Sequence, residues 1–118
     1  MLSIDCNHPD LEEFINIKTD LNKVTKANIS VKITDDFMKA VESDSDWKLT
    51  FITERDEIIE KTVKAKEIFM NLCENNWNFA EPGILYWDRI ENYNIVSEDS
   101  DFKYAGVNPC ALDNLGCK

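Results

Sequence analysis

The sequence predicts an α/β protein in which short strands alternate with helices over one domain, residues 1–118. Three observations lead there. Apolar residues alternate with polar ones at Ile29, Val31 and Ile33 and again at Trp47, Leu49 and Phe51, the period of a strand with one buried face. Helix-type patterns lie between and after these runs. Glu81-Pro82-Gly83 then breaks the chain before the apolar run Ile84 to Trp87, which reads as a buried strand. Strands separated by helices point to crossovers within a larger sheet or barrel. Taken by itself, a chain with so few strands counts as α+β.

In order, His8-Pro9-Asp10 opens the first helix, with Pro9 at its first position and Asp10, Glu12 and Glu13 facing the positive end of the helix dipole. Leu11, Phe14 and Ile15 share its apolar face. Residues 19–26 are polar and aperiodic, a loop or frayed turn. Asn28 to Ile33 is a strand, and Thr34 caps a helix that starts with Asp35 and Asp36 and buries Phe37, Met38 and Val41. Ser43-Asp44-Ser45-Asp46 ends that helix, and Trp47 to Phe51 is a short strand. Thr53 or Asp56 is expected to start the third and longest helix, running to about Phe79. Its stripe would comprise Ile59, Val63, Phe69, Met70, Leu72, Cys73 and Trp77, with Glu57/Lys61 and Glu60/Lys64 as i,i+4 pairs. Asn92 to Asp101 reads as an exposed acidic connection.

Composition narrows the function. The chain has 118 residues, enough for one domain with a sizeable core. It carries 23 acidic and 13 basic residues and a net charge of −10, which repels phosphate backbones and anionic lipid. Nucleic acid and membrane surfaces are therefore not expected partners, whereas one small pocket for a nucleotide can oppose the global charge. No apolar run reaches the roughly 20 residues needed to span a bilayer, and residues 1–5 do not resemble a secretory signal, so a cytoplasmic location is expected. Cys6, Cys73, Cys110 and Cys117 form no Cys-x-x-Cys pair, and the lone His8 has no thiol at metal-site spacing, so no metal is expected. His8 reads as a helix-start residue, Cys73 as core, and Trp47, Trp77 and Trp87 as core or interface anchors.

Four ordered segments carry a resemblance: His8 to Ile15, Ala27 to Val41, Glu81 to Ile90, and Asn108-Pro109-Cys110-Ala111. Together they resemble the large catalytic subunit of ribonucleotide reductases, most closely the adenosylcobalamin-dependent branch, and the resemblance covers nearly the whole chain. It implies a partial ten-stranded α/β barrel, here a few short strands and three main helices, with the stem of a finger loop. It also implies that Cys110 forms the thiyl radical and that Asn108 hydrogen-bonds the substrate sugar. Pro109 holds Asn108 extended.

Further implications are specific to particular residues. Cys117 lies near the position of a redox thiol that follows the finger loop. Cys6 does not match the upstream partner of that thiol. Leu112 stands where the family has the carboxylate that acts as general base, with Asp113 one residue displaced. Residues 19–28 align with the specificity loop, where Lys23, Thr25, Lys26 and Asn28 offer donors to a deoxynucleotide effector; a solvated polar loop fits the same residues. The implied ligands are a ribonucleotide substrate, a deoxynucleotide effector and adenosylcobalamin. Without the carboxylate and the upstream thiol the isolated chain is expected to be inactive. An alternative stays open: an acidic interaction module that retains the fold and self-associates or docks on a reductase subunit. Cys110 and Cys117 are expected to be accessible on a flexible tail, with ordinary thiol pKa values of about 8.5, and Cys73 to be protected.

Overall fold

The computed structural model describes residues 1–19, 27–93, 103–108 and 114–117, the last four by their backbone. A parallel sheet in the order β1-β2-β5 organises the molecule, from β1 (Leu2–Asp5), β2 (Ile29–Ile33) and β5 (Gly83–Tyr86). Each parallel connection carries a helix, as a crossover requires. Helix α1 (Leu11–Asn16), extended by a 3-10 turn at Ile17–Thr19, links β1 to β2. Helix α2 (Asp35–Glu42), an antiparallel hairpin of β3 (Asp46–Ile52) and β4 (Ile58–Lys64), and helix α3 (Ala65–Phe79) link β2 to β5. Helix α4 (Trp87–Asn92) follows β5, and β6 (Lys103–Val107) pairs antiparallel with β7 (Asn114–Cys117).

The core forms where the sheet meets the helices. Val31 and Ile33 of β2 pack with Leu11 and Ile15 of α1, Phe37 of α2, Leu49 of β3, and Ile68 and Leu72 of α3. Phe37 is fully buried and meets the Trp47 ring edge-on at 5.2 Å. The alternation that predicts β2 is thus satisfied by helices covering one face. Ser30, on the other face, is buried against β5: a Cβ on Gly83 would come within 2.9 Å of its Oγ, so a larger residue there would have to displace the Ser30 hydroxyl.

Local signals account for α2 as the sequence predicts. Thr34 Oγ1 accepts from the Phe37 amide at 3.2 Å, and the chain leaves the helix through Ser43 and Asp44, the latter at φ 52°. Helix α1 begins at Leu11, with Asp10 rather than Pro9 at its threshold. His8 sits at the helix start as expected, its Nδ1 accepting from the Asp10 amide at 3.1 Å and its ring against Phe51.

The long third helix is corrected. Residues 58–64 form β4, and α3 begins only at Ala65. Ile58, Ile59, Thr62 and Val63 are β-branched, and a partner strand is at hand in β3, so cross-strand pairing wins over helical charge spacing. The expected i,i+4 pairs are accordingly absent: Glu60 pairs with Lys48, Lys61 with Glu12, and Lys64 with Asp46. Five residues at 53–57 make the turn, with Asp56 at φ 58° and the Thr53 hydroxyl accepting from the Glu57 amide.

Of the expected stripe, Leu72 is buried and Phe69 packs half-buried against the core, while Ala65 and Ile68, which the expected stripe leaves out, complete the buried face of α3. Trp77 is 89% exposed, Met70 is exposed and Cys73 half-buried. Three further expectations change. Strand β1 and helix α4 are additional elements, Trp87 opens α4 rather than ending β5, and residues 114–117 pair as a strand where a flexible tail is expected. Among the described residues four α-helices therefore replace the expected three, two of them only six residues long. The described residues form three separate sheets and do not close into a barrel.

Candidate functional site

Parallel strands end together, and the residues that follow them converge. Cys6 and Asn7 follow β1, Thr34 follows β2, and Trp87 and Asp88 follow β5. These residues line a cavity of about 310 Å³, joined by Asp5, Lys32, Asp36 and Trp47. In open α/β sheets this carboxyl-terminal edge is where ligands bind, because successive loops diverge there and leave a crevice. A second cavity, of about 500 Å³, lies between β4 and α3 and is spanned by the Glu12–Lys61 ion pair. It shares no lining residue with the first.

The walls of the first cavity are held by hydrogen bonds. The Trp47 indole donates to the Cys6 carbonyl at 2.9 Å, and the Thr50 amide donates to the Asn7 carbonyl at 2.7 Å, tying the β3–β4 hairpin to the loop after β1. Asp88 accepts from the Asp35 amide at 2.6 Å, so α4 supplies a second cap to α2, where a carboxylate is favoured by the helix dipole. Cys6 is 2% exposed, with Sγ 3.8 Å from Thr34 Oγ1. Burial pushes its thiol pKa up, Asp5 adding to the shift and hydrogen bonds from Thr34 opposing it. A thiol in this setting stays protonated at neutral pH and is a poor nucleophile.

Lys32 crosses the cavity. Its Nζ lies 4.0 Å from the centroid of the Trp87 ring and donates to the Ala105 carbonyl of β6 at 3.0 Å. Through it the β6–β7 hairpin is attached at the carboxyl-terminal edge of the parallel sheet. Among the described residues no cluster of three or more His, Cys, Asp or Glu side chains is arranged to hold a metal. These cavities, and a third of about 420 Å³ beside α2 and Arg89, are each too small to enclose a corrinoid with its nucleotide arm, so the cavities among the described residues do not fit adenosylcobalamin.

The sequence-predicted site residues separate into two groups. Asn108 directly follows β6 and is half-buried, and Cys117 ends β7 with its Cα opposite Lys103. Val107 pairs with Asn114, so residues 108–113 join the two strands. Asn28 is exposed, and its carbonyl accepts the Leu2 amide at 2.8 Å, which starts the β1–β2 pairing. Cys110, Leu112, Asp113, Lys23, Thr25 and Lys26 lie outside the described residues. Sequence reasoning missed the grouping of Cys6, Lys32, Trp87 and Asp88. The signal was available: once Leu2, Ser3, Ile4 and Asp5 are read as an alternating strand, the three strand ends mark the edge.

Parallel strands with helical crossovers, and an antiparallel hairpin linked at their carboxyl-terminal edge, define a mixed α/β fragment. The model of the ribonucleotide reductase barrel domain matches residues 1–111. The chain is 36% identical over 113 residues to the vitamin B12-dependent ribonucleoside-diphosphate reductase of Thermoplasma acidophilum, covering 95% of this chain and 14% of that protein. It is 34% identical over 144 residues to the vitamin B12-dependent ribonucleotide reductase of Streptomyces avermitilis, covering 99% of this chain and 14% of the relative. With the corresponding protein of Bradyrhizobium diazoefficiens it shares 30% identity over 95 residues, covering 77% of this chain and 7% of the relative. The chain belongs to the ribonucleotide reductase family and corresponds to part of its barrel domain. It spans about 14% of the length of the first two of these relatives.

Proposed function

We propose that the chain serves ribonucleotide reduction as the barrel segment that carries the finger loop, in a reductase of the adenosylcobalamin-dependent type. Cys110, as a thiyl radical, takes a hydrogen atom from the sugar C3′ carbon; the sulfur becomes a thiol and the carbon a radical. Asn108 hydrogen-bonds the sugar and orients it for that transfer. Cys117 acts as one of the two thiols that supply reducing electrons. Lys23, Thr25, Lys26 and Asn28 contact a deoxynucleotide effector. Radical generation and cofactor binding belong to other parts of the reductase, since the described cavities do not suit a corrinoid.

The observation that supports this reading is a coincidence of position. The family match runs through residue 111, and Asn108, which opens the Asn-Pro-Cys motif, directly follows β6, the strand that Lys32 ties to the carboxyl-terminal edge of the parallel sheet. Leu112, standing in place of the general-base carboxylate, leads to the further expectation that the isolated chain does not turn over. The test is an assay of the purified chain with a ribonucleotide, adenosylcobalamin and a dithiol. No deoxynucleotide is expected, and turnover that disappears in Cys110→Ser would overturn the inactivity.

A second reading, docking on a reductase subunit or self-association, is favoured by one observation. Phe51, Ile52, Ile58 and Ile59 are exposed together at the outer end of the β3–β4 hairpin, and clustered exposed apolar residues mark interaction surfaces. A mass that rises with concentration in light scattering, and falls in Ile52→Lys, would support this role. A strictly monomeric chain that does not co-purify with a reductase subunit would exclude it.

A further inference from the structure

We infer that Lys32 is a positioning residue that reads the bulge in β6 and thereby sets the direction in which Asn108 leaves the sheet. The inference deepens the reading in which the β6–β7 hairpin carries the finger loop, and it rests on that reading for its functional meaning. Three observations converge on it. The β6–β7 register pairs Tyr104 with Gly116 and Gly106 with Leu115 and skips Ala105, so Ala105 is the extra residue of a bulge, which a ladder leaves unpaired. Its carbonyl is the atom that the Lys32 ammonium takes, at 3.0 Å. The ammonium in turn lies over the Trp87 ring at 4.0 Å, and the indole is steadied by its own bond to Glu91 at 3.0 Å.

The chemistry favours a cation at this place. The bulge leaves the Ala105 carbonyl at an exposed position, where a charged donor competes with water better than a neutral one. The aromatic face compensates the ammonium for the water it gives up. Lys32 stands on the central strand, paired with Asp5 on one side and Leu85 on the other, so its base is among the least mobile points of the fold. The link therefore transmits the position of the rigid sheet to a residue three places before Asn108.

Amide hydrogen exchange on the full chain tests this. In Lys32→Met, which keeps the stem and removes charge and donor, exchange at residues 103–107 and 114–117 is expected to rise roughly tenfold, with β3, β4 and α3 unchanged. Lys32→Arg, which keeps both charge and donor, is expected to restore most of the protection. Trp87→Leu serves as the second variant should Lys32→Met fail to fold, with a smaller rise confined to the same strands. Unchanged exchange in the hairpin of Lys32→Met, or of Trp87→Leu in its place, would overturn the inference. Loosening of every element alike, without rescue by arginine, would overturn it equally. Exchange involves no turnover, so its failure leaves the functional reading standing, and an unexpected activity of the chain leaves the link standing.

Discussion

The sheet-and-helix body and the β6–β7 hairpin are held in different ways. The body is stabilised by side chains fully withdrawn from water, Leu11, Ile15, Phe37 and Leu49 among them, each in contact with several elements. The hairpin is held by its own ladder, by Val107, which is 7% exposed, and by the link from Lys32 to the Ala105 carbonyl. Burial of large apolar groups is insensitive to exact direction, whereas a single polar link on a bulge specifies one. The body is thus built for stability and the hairpin for placement, the division expected where a rigid scaffold carries a functional loop.

The largest expected effect lies in the body. Phe37→Ala removes a fully buried ring and its edge contact with Trp47, and should cost about 3–5 kcal/mol in chemical denaturation. A loss below about 1 kcal/mol would mean that the core is not organised around this residue. Gly83→Ala comes next: its Cβ would press on the buried Ser30 Oγ, at a cost of roughly 1–3 kcal/mol. Adding Ser30→Ala should recover part of that loss. A double variant no better than the single would show that the strain is in the backbone and not between these side chains.

A smaller effect is expected from Thr34→Ala, which removes the side-chain cap on α2 and should cost about 1 kcal/mol. Asp88 still accepts the Asp35 amide, so the loss should deepen when Asp88→Ala is added. The smallest effect is a pH dependence. Burial raises the Cys6 pKa in the folded chain, so the unfolded thiol ionises first, near pH 8.5. The contribution of Cys6 is constant below that pH and declines as the pH rises above it. Denaturation midpoints compared between about pH 8 and pH 9.5 should fall more in the parent than in Cys6→Ala. Equal slopes would remove Cys6 as the cause.

Much of the body is legible in the sequence because its signals are local. The alternation of Ile29, Val31 and Ile33, the Thr34 cap and the stop at Ser43 and Asp44 each act within a few residues. The β3–β4 hairpin is not legible in the same way: Ile58 to Lys64 satisfies helical charge spacing and strand composition equally, and the decision comes from Trp47, Leu49 and Phe51 across the ladder. Helix α4 is missed since Trp87 extends an apolar run, and the polar contact that its Asp88 makes to another element, the cap on α2, comes from 53 residues away. Asn108 and Cys110 are legible as a motif, but Lys32 is not, because a lysine in an alternating strand reads as a solvated position. Its role depends on a bulge that only pairing reveals.

The account stands or falls on whether this segment can carry the radical cysteine. The direct measurement is deoxynucleotide formation by a chimera in which residues 1–111 replace the matching segment of the Thermoplasma acidophilum reductase, the remainder of that protein following unchanged. The chimera is expected to reduce ribonucleotides when adenosylcobalamin and a dithiol are present, and Cys110→Ser within it is expected to abolish product. A folded chimera without activity, or product formation that survives Cys110→Ser, would contradict the account.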